Sequence, residues 1–180
     1  MIIHINGMPG VGKLTVAQHL AASLGARLID NHRIIDAATT CTDHGTPEYL
    51  DALDQITAVI FNKLEKLPQK DIFIFTNALA AELPEDIERL NKFARFAHLR
   101  GVPFVPVVLT CSAEQNRLRM MQPSRAAKGK LMDIKILDRL MDYTILHLHD
   151  HANAIILDTT DLSPEQASTV IEKHVTSIKE

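Results

Sequence analysis

A short glycine-rich segment near the start of the chain constrains the fold more than any other feature. Residues 7–13 read Gly-x-x-x-x-Gly-Lys, and an apolar, β-branched run at 1–6 precedes them. After them, Val16, Leu20 and Leu24 recur every four residues, which predicts a helix. A glycine-rich turn between a buried strand and a helix directs successive backbone N–H groups toward one point, at the positive end of the helix. The segment therefore predicts a binding site for the phosphates of a nucleotide.

The residue types in this segment suit that chemistry. Glycine permits positive φ angles and a close approach of the backbone to phosphate. The lysine at its end supplies a mobile positive charge, which stabilises the transition state most as negative charge moves toward the leaving oxygen. The residue after the lysine is a leucine, so the hydroxyl that would help to hold Mg²⁺ comes one position later, at Thr15. The predicted nucleotide-binding residues are Gly7, Pro9, Gly10, Val11, Gly12, Lys13, Leu14 and Thr15, and the predicted cofactors are ATP and Mg²⁺.

The rest of the chain repeats a strand followed by a helix. Short runs at 27–30, 71–76, 104–110 and 154–158 predict four further strands, and glycine, proline and capping patterns mark helix ends between them. Pro106 lies inside the third of these runs, so we expect strand pairing to begin after it, because proline cannot donate to a sheet. The alternation predicts a single α/β domain with three layers, in which a five-stranded parallel sheet carries helices on both faces.

Composition excludes several classes of function. The chain of 180 residues is 46% hydrophobic, which is enough for one domain with its own core. A net charge of -3 and 4% aromatic residues provide neither a general attraction nor a stacking surface for nucleic acid. No apolar run is long enough for a signal peptide or a membrane span. The two cysteines fit a reducing compartment. We therefore expect a cytoplasmic protein without nucleic-acid or membrane partners. The sequence does not indicate its oligomeric state.

The loop resembles that of adenylate kinase and its relatives, the small P-loop kinases, which include shikimate and gluconate kinases and antibiotic-modifying phosphotransferases. The resemblance rests on Gly-x-Pro-Gly-x-Gly-Lys-x-Thr at 7–15 and extends thinly over the whole length. It implies a P-loop fold with a short lid at about 117–130 and an acceptor-binding segment at about 31–67. It also implies ATP-dependent phosphoryl transfer to a small molecule, which would be a nucleotide, a metabolite alcohol or an antibiotic.

Leu14 in the loop and a departure in the third predicted strand keep a second function open. The third predicted strand ends in Thr76 and Asn77, where nucleoside monophosphate kinases usually show an aspartate that organises Mg²⁺. The departure weakens the case for a nucleotide as the acceptor. The alternative is a regulatory or resistance module that binds ATP without transferring a phosphoryl group.

The same resemblance implies catalytic roles for Lys13 and for four residues outside the loop. Asp30 ends the second strand, where shikimate-kinase-like enzymes carry an aspartate that binds the acceptor or takes its proton; the alternative is that it caps the next helix. Arg117 resembles the arginine of the helix that enters the lid, and Arg139 resembles that of the helix that leaves it. Arg125 lies between them. Guanidinium groups suit phosphoryl oxygens in a closing lid, and the alternative is a solvated basic loop.

Overall fold

The computed structural model describes residues 1–122, 143–148 and 150–178. Its strands are β1 (Ile2–Asn6), β2 (Arg27–Asp30), β3 (Phe73–Thr76), β4 (Phe104–Thr110) and β5 (Ile155–Asp158). The helices in these ranges are α1 (Lys13–Leu24), α2 (Asn31–Thr39), α3 (Pro47–Leu64), α4 (Pro84–Leu99), α5 (Ala113–Met120) and α6 (Pro164–Ile178). All neighbouring strands pair in parallel in the order β2-β3-β1-β4-β5. The prediction of an α/β fold with a five-stranded parallel sheet is confirmed.

Two hydrophobic layers cover the two faces of the sheet. Successive side chains of a strand point to opposite faces, so alternate residues of β1 enter different layers. The layer toward α1 and α6 includes Ile3, Ile5, Val16, Leu20, Ile171 and Val175. The layer toward α4 includes Ile2, Phe73, Phe75, Leu90, Phe93 and Phe96. Because both faces of β1 are buried, the loop that follows this strand begins in the core of the molecule.

Two helices connect β2 to β3. The first, α2, begins directly after β2 because the Asp30 carboxylate caps it and accepts a hydrogen bond from the His32 N–H at 3.2 Å. The second, α3, begins at a proline, and the preceding Thr46 hydroxyl accepts a hydrogen bond from the Tyr49 N–H at 3.2 Å. The two helices pack through a small cluster of Ile34, Ala38, Tyr49 and Leu53. The segment predicted to bind the acceptor is therefore a separate helical pair beside the edge of the sheet.

The expectation that pairing in the fourth strand begins after Pro106 is wrong. β4 pairs with β1 from Phe104 onward. The Ile2 N–H donates to the carbonyl of Pro103 at 2.9 Å, and successive residues of a strand turn their N–H groups to opposite neighbours, so the nitrogen of Pro106 faces β5. Pairing between β4 and β5 begins only at Val107. Pro106 therefore lies just before the residues that pair with β5, and its lack of an N–H removes no hydrogen bond to β1.

Candidate functional site

The predicted nucleotide-binding loop connects β1 to α1 at the carboxyl edge of the sheet. Gly10 and Gly12 have φ angles of 92° and 100°, which residues with side chains rarely adopt. A Cβ atom at Gly10 would overlap the Asn116 amide and the Met120 side chain of α5, whereas no heavy atom lies within 4 Å of the corresponding position at Gly12. One side of the loop is therefore packed against α5, and the other side is open.

The residue before α1 is a glycine and provides no side-chain cap for the helix. This residue is Gly12, and no acidic residue lies in the first turn of the helix. By contrast, Asp30 and Ser112 accept hydrogen bonds at the starts of α2 and α5. The first N–H groups of a helix need acceptors, and the helix dipole adds positive potential there. The start of α1 therefore fits a phosphate group.

The Lys13 side chain lies over this loop. Its Nζ donates to the carbonyl oxygen of Gly7 at 2.6 Å and to that of Met8 at 2.9 Å. Both acceptors belong to the loop, so the ammonium charge is held beside the N–H groups that would receive a phosphate. Thr15 lies in the first turn of α1 and is half-buried. The residues present thus fit nucleotide phosphates, and Thr15 is the residue that would hold Mg²⁺.

A residue that was not predicted, Arg119, connects α5 to the loop. Its guanidinium group donates to the carbonyl of Val11 at 3.0 Å, to Oγ1 of Thr159 at 3.0 Å and to the carbonyl of Thr159 at 2.6 Å. Thr159 follows β5, is buried, and donates its hydroxyl to the carbonyl of Thr110 at 2.9 Å. The guanidinium group therefore joins the loop to the ends of β4 and β5.

The spacing of residues along α5 indicates which arginine faces the core. Arg119 follows the buried Asn116 by three residues and so lies near the same face of the helix. The predicted Arg117 is exposed on a different face. Arg125 and Arg139 lie outside the described residues, as does most of the predicted lid.

Asp30 ends β2 and makes several hydrogen bonds through one carboxylate oxygen. Oδ1 accepts from the His32 N–H, accepts from the Thr76 hydroxyl at 3.2 Å and lies 3.3 Å from Nδ1 of His32. Burial would raise the pKa of this carboxyl, but the hydrogen bonds and charge of His32, together with the Thr76 bond, lower it overall, so the group is ionised at neutral pH. The helix-capping alternative is thus observed. No described residue donates to Oδ2, which is left for other partners.

A cavity of about 250 Å³ lies between α2, α3 and the ends of β2 and β3. Its apolar lining includes Ile34, Tyr49, Leu50, Leu53, Phe75 and Phe93. Its polar lining includes Asn31, His44, Thr57, Thr76, Asn77 and Arg89. Much of this lining comes from the segment at 31–67 that was predicted to bind an acceptor. Thr76 lies opposite Ile5 of β1, so the cavity begins one strand away from the loop.

Two other kinds of site are absent from the part of the chain that the structure describes. No group of three or more His, Cys, Asp or Glu side chains in residues 1–122, 143–148 and 150–178 could hold a metal ion. Within the same ranges, none of the helices combines the length and the apolar character that crossing a membrane requires. The loop and the neighbouring cavity therefore form the candidate functional site.

Known proteins share this architecture. The sequence model of the AAA domain family (AAA_18) matches residues 3–131, and no curated protein matches the sequence. A gluconokinase from Sinorhizobium meliloti 1021 is 16% identical with a TM-score of 0.62, over 98% of this chain and 91% of that chain. A shikimate kinase from Acinetobacter baumannii, in complex with shikimate, is 22% identical with a TM-score of 0.58, over 99% and 94%. A tunicamycin resistance protein from Deinococcus radiodurans is 19% identical with a TM-score of 0.59, over 97% and 94%.

Identities this low show a shared fold, and the coverage shows that the fold is shared over nearly the whole of both chains. The family match includes the loop, α1 and the cavity-lining helices. The predicted resemblance to the small P-loop kinases is confirmed as a shared fold, and the chain belongs to the AAA domain family (AAA_18).

Proposed function

We propose that this protein transfers the γ-phosphoryl group of ATP to a hydroxyl group of a small molecule. The observation that carries the proposal is the position of the phosphate-binding loop beside the cavity. β3 lies next to β1, with Thr76 opposite Ile5, and neighbouring strands are about 5 Å apart. A donor on the loop and an acceptor in the cavity would therefore meet at the carboxyl edge of the sheet, where ligands of open α/β sheets bind.

On the donor side, the loop N–H groups and the start of α1 bind the β- and γ-phosphates of ATP. Lys13 balances the negative charge that develops on the leaving oxygen. Mg²⁺, held in part by Thr15, would neutralise phosphate charge. We assign Arg117, Arg125 and Arg139 to a lid at about 117–130 and its flanking helices, which brings guanidinium groups to the phosphoryl oxygens and excludes water.

On the acceptor side, Asp30 orients the hydroxyl group. The hydroxyl oxygen forms a bond to the γ-phosphorus, and the bond from that phosphorus to the oxygen that bridges it to the β-phosphorus breaks, which releases ADP. The hydroxyl proton passes to Oδ2 of Asp30, which accepts no hydrogen bond from a described residue. Because phosphoryl transfer is largely dissociative, this proton moves late, and an ionised carboxylate of low pKa is a sufficient base.

The test is acceptor-dependent release of ADP. ATP and Mg²⁺ are incubated with the protein and a panel of neutral and anionic hydroxyl compounds, and ADP is measured for each. We expect release with one class of acceptor and a loss of at least about 100-fold in Lys13→Ala. Lys173→Ala, at an exposed position of α6, is the matched control and should leave release unchanged.

Calorimetric titration with ATP distinguishes phosphoryl transfer from the alternative function. Binding of ATP without turnover on any acceptor would favour a regulatory or resistance module that holds ATP without transferring a phosphoryl group. No binding of ATP would refute both.

A further inference from the structure

The charges around the cavity restrict the kind of acceptor that it can hold. Among the described residues that line it, Arg89 is the only arginine or lysine, and none is an aspartate or glutamate. The Arg89 guanidinium donates to Oδ1 of Asp86 at 3.0 Å, with both side chains largely buried. Asp86 in turn accepts a hydrogen bond from the Ala80 N–H at 2.9 Å. The charge of Arg89 is therefore balanced within α4 before any ligand enters.

The inner part of the cavity is apolar. Tyr49, Leu53, Phe75 and Phe93 are buried residues that line it, and they belong to the clusters between α2, α3 and α4. Covering such surface with an apolar group is favourable, since it removes hydrocarbon from water. A carboxylate or phosphate placed there would lose its hydration and gain no unpaired cation from the described lining.

A polar edge lies where the cavity approaches the phosphate-binding loop. The Asn77 N–H donates to the carbonyl of Ile5 at 3.0 Å, which fixes this residue beside β1. Its Oδ1 is bonded to Nε2 of the buried His4 at 3.0 Å. Its Nδ2 has no acceptor among the described residues. This amide is an uncharged donor suited to one neutral oxygen of a ligand.

We propose that the acceptor is an uncharged hydroxyl compound with an apolar body, and this inference rests on the proposed function. The apolar body lies against Tyr49, Leu53 and Phe93. The hydroxyl group lies at the polar edge beside Asn77, next to Asp30, which is not part of the lining but accepts a hydrogen bond from the lining residue Thr76. In the transfer, that hydroxyl oxygen bonds to the γ-phosphorus, ADP leaves, and the proton passes to Asp30. The volume of about 250 Å³ is below the range of roughly 300–1,000 Å³ that drug-sized ligands occupy, so the compound is small.

A matched pair of ligands tests this preference. 2-Phenylethanol and 3-phenyllactate share a phenyl group and a hydroxyl group, and they differ by one carboxylate on the carbon that bears the hydroxyl. Binding of each to the full chain is measured by ligand-observed NMR titration, with cyclohexylethanol and 1-hexanol as further neutral compounds. We expect the neutral member to bind at least about tenfold more tightly, because only the anion must desolvate a charge. Equal or tighter binding of the anion, or no binding of any neutral compound, would overturn the inference.

A positive charge introduced at the cavity tests whether the compounds bind there. Leu50 lines the cavity and is 40% exposed, so Leu50→Arg adds an unpaired cation without disturbing the core. We expect it to reverse the preference in favour of 3-phenyllactate. Val59→Arg, on the same helix but outside the lining and 58% exposed, should leave the preference unchanged. An unchanged preference in Leu50→Arg would show that the compounds bind elsewhere and would refute the inference.

Release of ADP with the same compounds separates the two proposals. Binding of 2-phenylethanol without release of ADP on any acceptor would refute the phosphoryl transfer and leave the ligand preference standing. Release of ADP only with shikimate, gluconate or a nucleoside monophosphate would refute the preference and leave the transfer standing.

Discussion

Arg119 donates hydrogen bonds to Thr159 from both terminal nitrogens of its guanidinium group, one to the hydroxyl oxygen at 3.0 Å and one to the carbonyl oxygen at 2.6 Å. The same group donates to the carbonyl of Val11 in the phosphate-binding loop. A single side chain of α5 therefore ties the loop to the segment after β5. This contact fixes the position of α5 relative to the loop in the part of the chain that the structure describes.

Replacing this guanidinium should weaken nucleotide binding. Arg119→Met keeps the aliphatic part of the side chain but loses the three hydrogen bonds, so the loop carbonyl of Val11 is no longer held. We expect the Kd for ATP to rise roughly 5- to 30-fold, or about 1–2 kcal/mol, because only part of the cost of losing these three charge-assisted bonds falls on the loop that binds the nucleotide. Calorimetric titration measures the effect, with Arg95→Met on the exposed face of α4 as the control. A lowered Tm with an unchanged Kd would mean that the contact supports only the fold.

The two loop glycines should respond differently to alanine. Gly10→Ala combines a positive φ with overlap against Asn116 and Met120, so we expect it to destabilise the fold. Gly12→Ala meets no neighbour, and its cost to stability should be about 1–2 kcal/mol from the left-handed backbone. Its methyl group would, however, enter the open side of the loop, so ATP binding should fall by at least about tenfold. Thermal unfolding and ATP titration of both variants check this, and normal ATP binding by Gly12→Ala would contradict it.

The loop could be predicted from sequence because its signal is local. The glycine spacing, the strand before it and the helix after it lie within 24 residues, and backbone geometry decides what such a segment can do. The contact of Arg119 with Val11 joins residues 108 apart, and helix spacing alone does not say which neighbour a face will meet. The role of Asp30 could not be assigned from the sequence for a different reason. An aspartate between a strand and a helix is equally consistent with capping the helix and with binding the acceptor.

The cavity was harder to predict than the sheet. The parallel sheet follows from the alternation of short strands and helices, which few folds can accommodate. The cavity depends on how α2 and α3 pack over the strand ends, and on the pairing of Arg89 with Asp86. That pairing balances a charge that the sequence counts as available, so the class of acceptor proposed above rests on the structure and could not be proposed from the sequence.

His4 should make the stability of the protein depend on pH. Burial lowers its pKa from 6.5 to about 4, and the Asn77 hydrogen bond acts in the opposite direction. Between these values the unfolded chain binds a proton that the folded chain does not, so the free energy of unfolding falls as the pH drops from 6.5 toward 4. The full loss should be about 3 kcal/mol, from about 1.36 kcal/mol for each unit of pKa.

Urea unfolding at pH 7, 6 and 5 measures this dependence. His4→Gln removes the titration and keeps a side-chain donor for Oδ1 of Asn77. We therefore expect the free energy of unfolding to vary less with pH in this variant than in the natural protein. The same pH dependence in both proteins would assign the effect to other groups.

Asn6 should hold together two segments that are distant in sequence. Its Oδ1 accepts from the Leu79 N–H at 2.8 Å, and its Nδ2 donates to the carbonyls of Leu79 and Leu146 at 3.1 and 2.8 Å. Asn6→Ala removes the partner of the Leu79 N–H and of the Leu146 carbonyl, whereas the Leu79 carbonyl still accepts from the Leu146 N–H at 2.9 Å. The expected cost is about 2–4 kcal/mol. Denaturant unfolding measures the cost, with the exposed Asn62→Ala as the control. Hydrogen exchange should accelerate first at Leu79 and Leu146, and unaltered exchange there would contradict the proposed link.

The two roles of Asp30 can be separated by two substitutions at one position. Asparagine caps a helix about as well as aspartate, so Asp30→Asn should keep the hydrogen bond from the His32 N–H and change stability by only a few tenths of a kcal/mol. It removes the carboxylate that would take the acceptor proton, so we expect the turnover to fall by about 10²- to 10⁴-fold. Asp30→Ala loses both roles and should also cost about 1 kcal/mol of stability. The measurements are thermal unfolding and ADP release with the best acceptor of the panel. Turnover within about threefold of the natural protein in Asp30→Asn would show that Asp30 is a helix cap and that the acceptor proton leaves by another route.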